Sequence, residues 1–133
     1  MLLNGRVIAP GQVSGQALVS TESISFFGGV DPESGVVVEP NHPLFGQSIA
    51  QKVLIFPTGK GSTVGSYTLY RLKKNNHAPA AILNTECDPV IAVGCIIAEI
   101  PCIDHLPIDT IRQGSYLFVD AVNGFVKDTI TQQ

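Results

Sequence analysis

The sequence predicts a mixed α/β (α+β) domain, strand-rich in its first half and made of two strand-loop-helix units in its second. Three observations carry this. Short runs rich in Val or Ala and bounded by Gly, Ser, Asn or Pro occupy the first forty residues. Two apolar runs, Val53–Phe56 and Ala80–Leu83, each lead through a loop into a stretch with helical character. The length, 133 residues, suits one ordinary core and leaves no room for two.

In chain order, Gly5 to Ala9, Gly15 to Val19 and Val36 to Glu39 read as strands. Between the second and third lies Ser23-Ile-Ser-Phe-Phe-Gly-Gly-Val-Asp-Pro-Glu-Ser-Gly35, a long connection with adjacent aromatics and a glycine pair, the kind of loop that carries function. Val53-Leu-Ile-Phe56 has the pattern of a strand buried on both faces and stops at Pro57. The chain then runs through Pro57-Thr-Gly-Lys-Gly-Ser-Thr-Val-Gly-Ser66 into a helix ending at Lys74, with Val64, Tyr67 and Leu72 expected on one face and Lys73 and Lys74 complementing the last turn. The unit repeats in kind: strand Ala80–Leu83, polar loop, then a helix over Val90 to Glu99 with Asp88 as N-cap and Pro89 in the first turn. A strand is expected after Ile100, and Ser115 to Ala121 and Phe125 to Lys127 flank a hairpin turn at Val122-Asn-Gly124. Without linker, repeat or charge block, the expectation is a single domain over residues 1–133.

Charge narrows the function. A net charge of −3 offers nothing to hold a phosphate backbone or an anionic bilayer, which argues against nucleic acid and membrane surfaces. Charged residues make up 14% of the chain against roughly 25% in an average domain. A surface so poor in charge implies a face kept dry against a partner subunit. The longest apolar stretch, Pro89 to Ile103, is interrupted by Glu99 and Pro101, so no membrane span is expected. The N-terminus has no basic start followed by an apolar run, and three cysteines without a C-x-x-C pair suit a reducing compartment, so a cytoplasmic location is expected.

The strongest chemical candidate is Gly59-Lys-Gly-Ser62. A Gly-rich turn at a helix N-terminus presents free N–H groups and the positive end of the dipole, which favours an anion and would stabilise an alkoxide on Ser62, with Lys60 adding positive charge. The alternative is that Ser62 only caps the helix. A nucleotide P-loop is rejected, because Gly61 separates Lys60 from Ser62 and Leu54 stands where the leading glycine belongs. Cys87, Cys95 and Cys102 have no metal-ligand spacing and read as buried apolar residues. His42, His77 and His105 fall in loops and read as solvated or locally bonded. Asp31, Glu33, Glu86 and Asp88 are carboxylates near glycine or helix-start positions, for which turn and cap duties are the main explanation.

The ordered set Ser23 to Gly35, Asn41-His-Pro43, Pro57 to Ser62, Ala78-Pro-Ala-Ala-Ile82 and Asp88 to Glu99 resembles the small subunit of the aconitase X family over nearly the whole chain. The resemblance implies a swivelling β/β/α domain that closes over a larger iron–sulfur subunit, in a heterodimer in which the partner holds a [4Fe-4S] cluster as Lewis acid on the leaving hydroxyl and this chain binds none. It makes Ser62 the base. It places Lys60, Gly61 and Thr63 around the substrate, with Gly28, Gly29 and Asp31 lining the cleft. A chain that begins and ends with this one domain points to the stand-alone archaeal type, for which the reaction is dehydration of (R)-5-phosphomevalonate. The alternatives are a cis-3-hydroxyproline dehydratase subunit, a phosphohistidine-type swivelling phosphocarrier, disfavoured because Glu86-Cys-Asp-Pro89 holds no histidine ahead of the helix, and a non-catalytic interaction domain.

Overall fold

The computed structural model describes residues 1–129. Its strands are β1 (Leu2–Asn4), β2 (Arg6–Ala9), β3 (Gln12–Val19), β4 (Val53–Phe56), β5 (Ala81–Asn84), β6 (Cys102–Asp104), β7 (Tyr116–Asp120) and β8 (Phe125–Asp128). The helical elements are a single turn α1 (Phe26–Gly29), α2 (Gly65–Lys74), α3 (Pro89–Ala98) and a 3₁₀ turn at Ile108–Thr110. The eight strands form one sheet in the order β1-β8-β7-β3-β4-β5-β6-β2. β3, β4, β5 and β6 are parallel neighbours, and the outer pairings are antiparallel.

The two ends of that sheet are β1 and β2, which Gly5 alone separates in the chain. The sheet therefore curls until its edges meet at that residue, whose N–H donates to Gly124 O at 2.9 Å and so continues the β1–β8 pairing. Alternation along the strands then sorts two cores. Val53, Ile55, Ala81, Leu83, Ile103, Leu117, Val119 and Val126 fill the inside of the curl. Leu54, Phe56, Ile82 and Cys102 face the other way and pack under α2 and α3 with Phe26, Leu69, Leu72, Ile91 and Cys95. Each fully buried Leu, Ile or Phe contributes roughly 1.5–3 kcal/mol, so the central parallel strands, buried along their whole length, are the firmest platform in the molecule.

Local departures from the expected elements have physical causes. Val36 to Glu39 is not a strand: it makes only the isolated bridges Val30↔Val37 and Val36↔Ser48, because the surrounding segment folds back on itself through turns, as in Gly46 N–H to Val37 O at 2.8 Å. β3 begins at Gln12, earlier than Gly15, because its first half pairs with β7 and its second with β4. β1, for which the sequence carries no sign, exists because β8 offers it an edge. On α2, Val64 and Tyr67 do not share a face with Leu72: Gly65, Thr68, Leu69 and Leu72 point inward, while Val64 and Tyr67 are exposed. Asp88 caps α3 as its position implies, with Pro89 in the first turn.

No helix among the described residues is long and apolar enough to cross a membrane. Several large apolar side chains remain on the surface, among them Phe27, Phe45, Val64, Tyr67, Ile96 and Ile97.

Candidate active site

The loops that follow the parallel strands β4, β5 and β6 gather at one end of the sheet, where ligands bind in open α/β structures. The loop after β4 holds Gly59 to Thr63. Its path is determined from both sides. The Lys60 N–H donates to Ile24 O at 3.0 Å, and the Gly59 N–H donates to Asp88 Oδ1 at 3.0 Å. Gly61 has φ +92°, and a Cβ there would run into Ser25 Oγ, so only glycine fits this bend.

Ser62 stands exposed at the apex. It is not the N-cap: α2 begins at Gly65, after a turn in which Ser62 O accepts from Gly65 N–H at 2.9 Å. The Ser62 hydroxyl oxygen instead accepts from Val64 N–H at 3.1 Å. An amide aimed at that oxygen stabilises its deprotonated form more than its neutral one. The N–H groups of Gly61, Ser62 and Thr63 bond to nothing among the described residues. Together with the dipole of α2 they make the neighbourhood of Ser62 a place for negative charge.

Around this apex the expected site residues are distributed as follows. Gly28, Gly29, Lys60 and Gly61 line one open depression of about 440 Å³ with Ser25, Phe27, Glu39 and Pro40. Asp31 lies in an adjoining depression that shares Phe27 and Gly28 and is bounded by Arg71. Thr63 lines a third with Ser66, Tyr67, Tyr70 and Ile97. Asp31 is occupied with its own turn, accepting from Glu33 N–H at 3.0 Å and Ser34 Oγ at 2.9 Å; these bonds, the backbone one first, hold its carboxyl below the usual range.

Glu39 carries no sign in the sequence of belonging here. Its carboxylate accepts from Lys60 Nζ at 2.9 Å, so the positive charge expected at the loop is already paired. Both groups are part exposed, and such a pair is worth about 0–1 kcal/mol, so an incoming anion competes with Glu39 at small cost. Asp88 is the second residue whose part is visible only in three dimensions, because its link to Gly59 spans 29 positions.

The neighbouring cluster after β5 and β6 is of another kind. Asp104 is fully buried and takes a bidentate pair of bonds from Arg6, Nε to Oδ1 at 2.9 Å and Nη2 to Oδ2 at 2.7 Å, with Cys87 N–H at 2.9 Å. Burial alone would push this carboxyl up, but the guanidinium and the amide outweigh it and hold it below its ordinary value. Glu86 and His105 Nε2 lie 3.2 Å apart at the rim. Arg6 already fills the position a cation would take beside Asp104 and Glu86.

The three cysteines converge although their spacing in the chain gives no hint of it. Cys87 Sγ lies 4.0 Å from Cys102 Sγ, and Cys95 neighbours Cys102. Cys95 and Cys102 are buried in the core beneath α3, and Cys87 packs against the same cluster. The bond with Cys102 and burial push the Cys87 thiol far up; at Cys102 the bond with Cys87 pulls the other way, but the bond with Cys95 and burial outweigh it and hold that thiol up as well, so both stay neutral. An iron–sulfur cluster needs thiolates with open space between them, and these residues do not fit one. His42 is buried and locally bonded, with Nε2 at 3.1 Å from Ser23 O and Nδ1 accepting from Leu44 N–H.

Comparison with known proteins identifies the family and the fold. The aconitase X swivel domain family matches residues 2–128. A protein of Methanococcoides burtonii named phosphomevalonate dehydratase small subunit is 49% identical over 125 residues, covering 92% of this chain and 91% of that protein. One of the same name from Methanosarcina mazei is 51% identical over 126 residues, covering 92% and 88%. The crystal structure of Thermococcus kodakaraensis aconitase X in its holo form superposes with a TM-score of 0.96 at 46% identity, covering 98% of this chain and 99% of that one.

Proposed function

The chain belongs to the aconitase X swivel-domain family, and from that premise we propose that it is the small subunit of a hydro-lyase that dehydrates (R)-5-phosphomevalonate to trans-anhydromevalonate 5-phosphate in an archaeal-type mevalonate pathway. The observation that carries the substrate is the near-half identity, over more than nine-tenths of the chain, with relatives named phosphomevalonate dehydratase small subunit.

On this reading Ser62 removes the proton from the carbon beside the substrate carboxylate as the hydroxyl on the next carbon leaves as hydroxide, and the proton then passes from Ser62 to that hydroxide, which completes the water lost and restores the alkoxide. That proton is weakly acidic, so the base must be strong, and a serine serves only as its alkoxide. Val64 N–H, the unpartnered amides of Gly61 to Thr63 and the α2 dipole lower the cost of that alkoxide, and Lys60 exchanges Glu39 for a substrate anion. Gly28, Gly29 and Thr63 bound the space, with Asp31 shaping the wall rather than touching the reacting atoms. A larger subunit closes over this end of the sheet in the cytoplasm, and the iron–sulfur cluster resides there. Closure shields the alkoxide from water, which strengthens every electrostatic contact in the cleft.

The test is Ser62→Ala in the complex with its larger subunit, reconstituted anaerobically. Turnover of 5-phosphomevalonate should fall by about 10²–10⁴ or more while native mass shows the complex intact. Near wild-type turnover would remove Ser62 from the base role.

A further inference from the structure

The Asp88 carboxylate uses its two oxygens on two different elements. Oδ2 accepts from Val90 N–H at 3.1 Å, the bond that caps α3, and Oδ1 accepts from Gly59 N–H at 3.0 Å, three residues before Ser62. Capping needs a single acceptor, and Ser, Thr or Asn supplies it as well as Asp does. A carboxylate meets each amide with an oxygen of its own, whereas the carboxamide of Asn turns an NH2 donor toward one of the two and the hydroxyl of Ser is too short to reach across. The loop lies flush on this group: a Cβ at Gly59 would collide with Asp88 Oδ1 and Ile91 Cγ1. Close by, Ser66 Oγ donates to Val90 O at 2.5 Å, joining the first turn of α2 to that of α3, and Gly94 lets the two helices approach until a Cβ there would meet Leu69. On the opposite side Ile24 and Ser25 hold Lys60 and Gly61.

We propose that Asp88 is a positioning residue for the reaction, a two-oxygen bracket that aims the Gly59–Thr63 loop, and with it Ser62, from the rigid start of α3. The proposal rests on the reading of Ser62 as base. Removing one arm of the bracket lets the loop shift while the helix keeps its cap, and a shift of about 1 Å at a reacting group costs on the order of 10²-fold in rate.

The experiment compares Asp88→Asn and Asp88→Ser with wild type and Ser62→Ala, each in the complex with the larger subunit and with 5-phosphomevalonate. Both Asp88 variants retain a good N-cap, so thermal midpoint and assembly should hold, while kcat falls by about 10–10²-fold. The kcat–pH profile of Asp88→Asn should also move to higher pH, because a shifted loop weakens the Val64 N–H bond to the Ser62 oxygen and so favours its alkoxide less. A merely structural defect lowers the profile without moving it. Turnover within twofold of wild type in both variants, an unmoved profile, or failure of both to assemble overturns the bracket. Loss of activity in Ser62→Ala beside full activity in Asp88→Asn sinks the bracket alone, whereas an active Ser62→Ala sinks the base and the bracket together.

Discussion

The two strand-loop-helix units are built alike and finished differently. After β5, residues 85–88 close quickly: Asp88 caps α3, Pro89 takes the first turn, and Asp104 and Arg6 bind the loop beneath. After β4, residues 57–64 run longer, and among the described residues α2 starts with no side-chain cap and three consecutive amides around Ser62 have no partner. Unsatisfied polar groups cost stability when buried and cost little when they face water. Among the described residues the contrast is one of completion: the unit after β5 is closed by its own side chains, and the unit after β4 stays open. Asp88 joins the two, lending the fixed unit's rigidity to the open one.

The comparison breaks first if stability is not concentrated in the closed unit. Arg6→Leu strands the buried Asp104 carboxylate and should destabilise the chain by about 3 kcal/mol, the low end for a broken buried pair because half of Arg6 is exposed. A urea midpoint unchanged by that substitution would mean that the ion pair holds nothing. In the open unit the matching change is Gly61→Ala, which forces a side chain into the left-handed region against Ser25. Its expected effect is on turnover, about 10²-fold or roughly 2.7 kcal/mol in the barrier. Normal kinetics for Gly61→Ala would show that the loop has slack the geometry denies.

Acid sharpens the contrast. Asp120 accepts from Asn123 Nδ2, Asn123 N–H, Val122 N–H and Gln12 Nε2, and with the Asn123 bonds leading, its carboxyl is held at about 2. Asp104 and Asp31 are also held low. Each binds its proton less readily folded than unfolded, so the contribution is whole above the unfolded-state value near 3.9 and is lost as pH falls toward the folded-state value. The urea midpoint should be flat above about pH 5 and decline toward pH 2. Asp120→Asn should shallow that decline, and an identical slope would show that the Asp120 turn carries none of it.

The smallest effect expected is at the rim of the open unit. Glu39→Gln releases Lys60 from an exposed pair and should lower KM for the anionic substrate by about two- to fivefold, the equivalent of a surface ion pair. A raised KM would assign Glu39 to substrate binding instead.

Much of this was legible along the chain because the signals are local. Apolar runs ending at Pro57 and after Leu83, an Asp–Pro helix start and an Asn–Gly turn each specify their element through sterics and hydrogen bonding within a few residues. The Gly-rich loop between β4 and α2 was legible for the same reason, since a helix start and its glycines are neighbours in sequence. Val36 to Glu39 misleads because β-branched residues look alike whether or not a partner strand exists, and β1 is silent because its partner lies at the far end of the chain.

The sequence by itself determined the central strands, the two long helices, the loop between β4 and α2 and, through resemblance, the family. Only the tertiary structure decided that Val64 and Tyr67 face outward, that Lys60 meets Glu39, that the three cysteines share one corner, and that Asp88 reaches Gly59. These are contacts between residues far apart in the chain. Their geometry depends on how the curled sheet and the two helices pack, and no local pattern of side chains encodes such a distance.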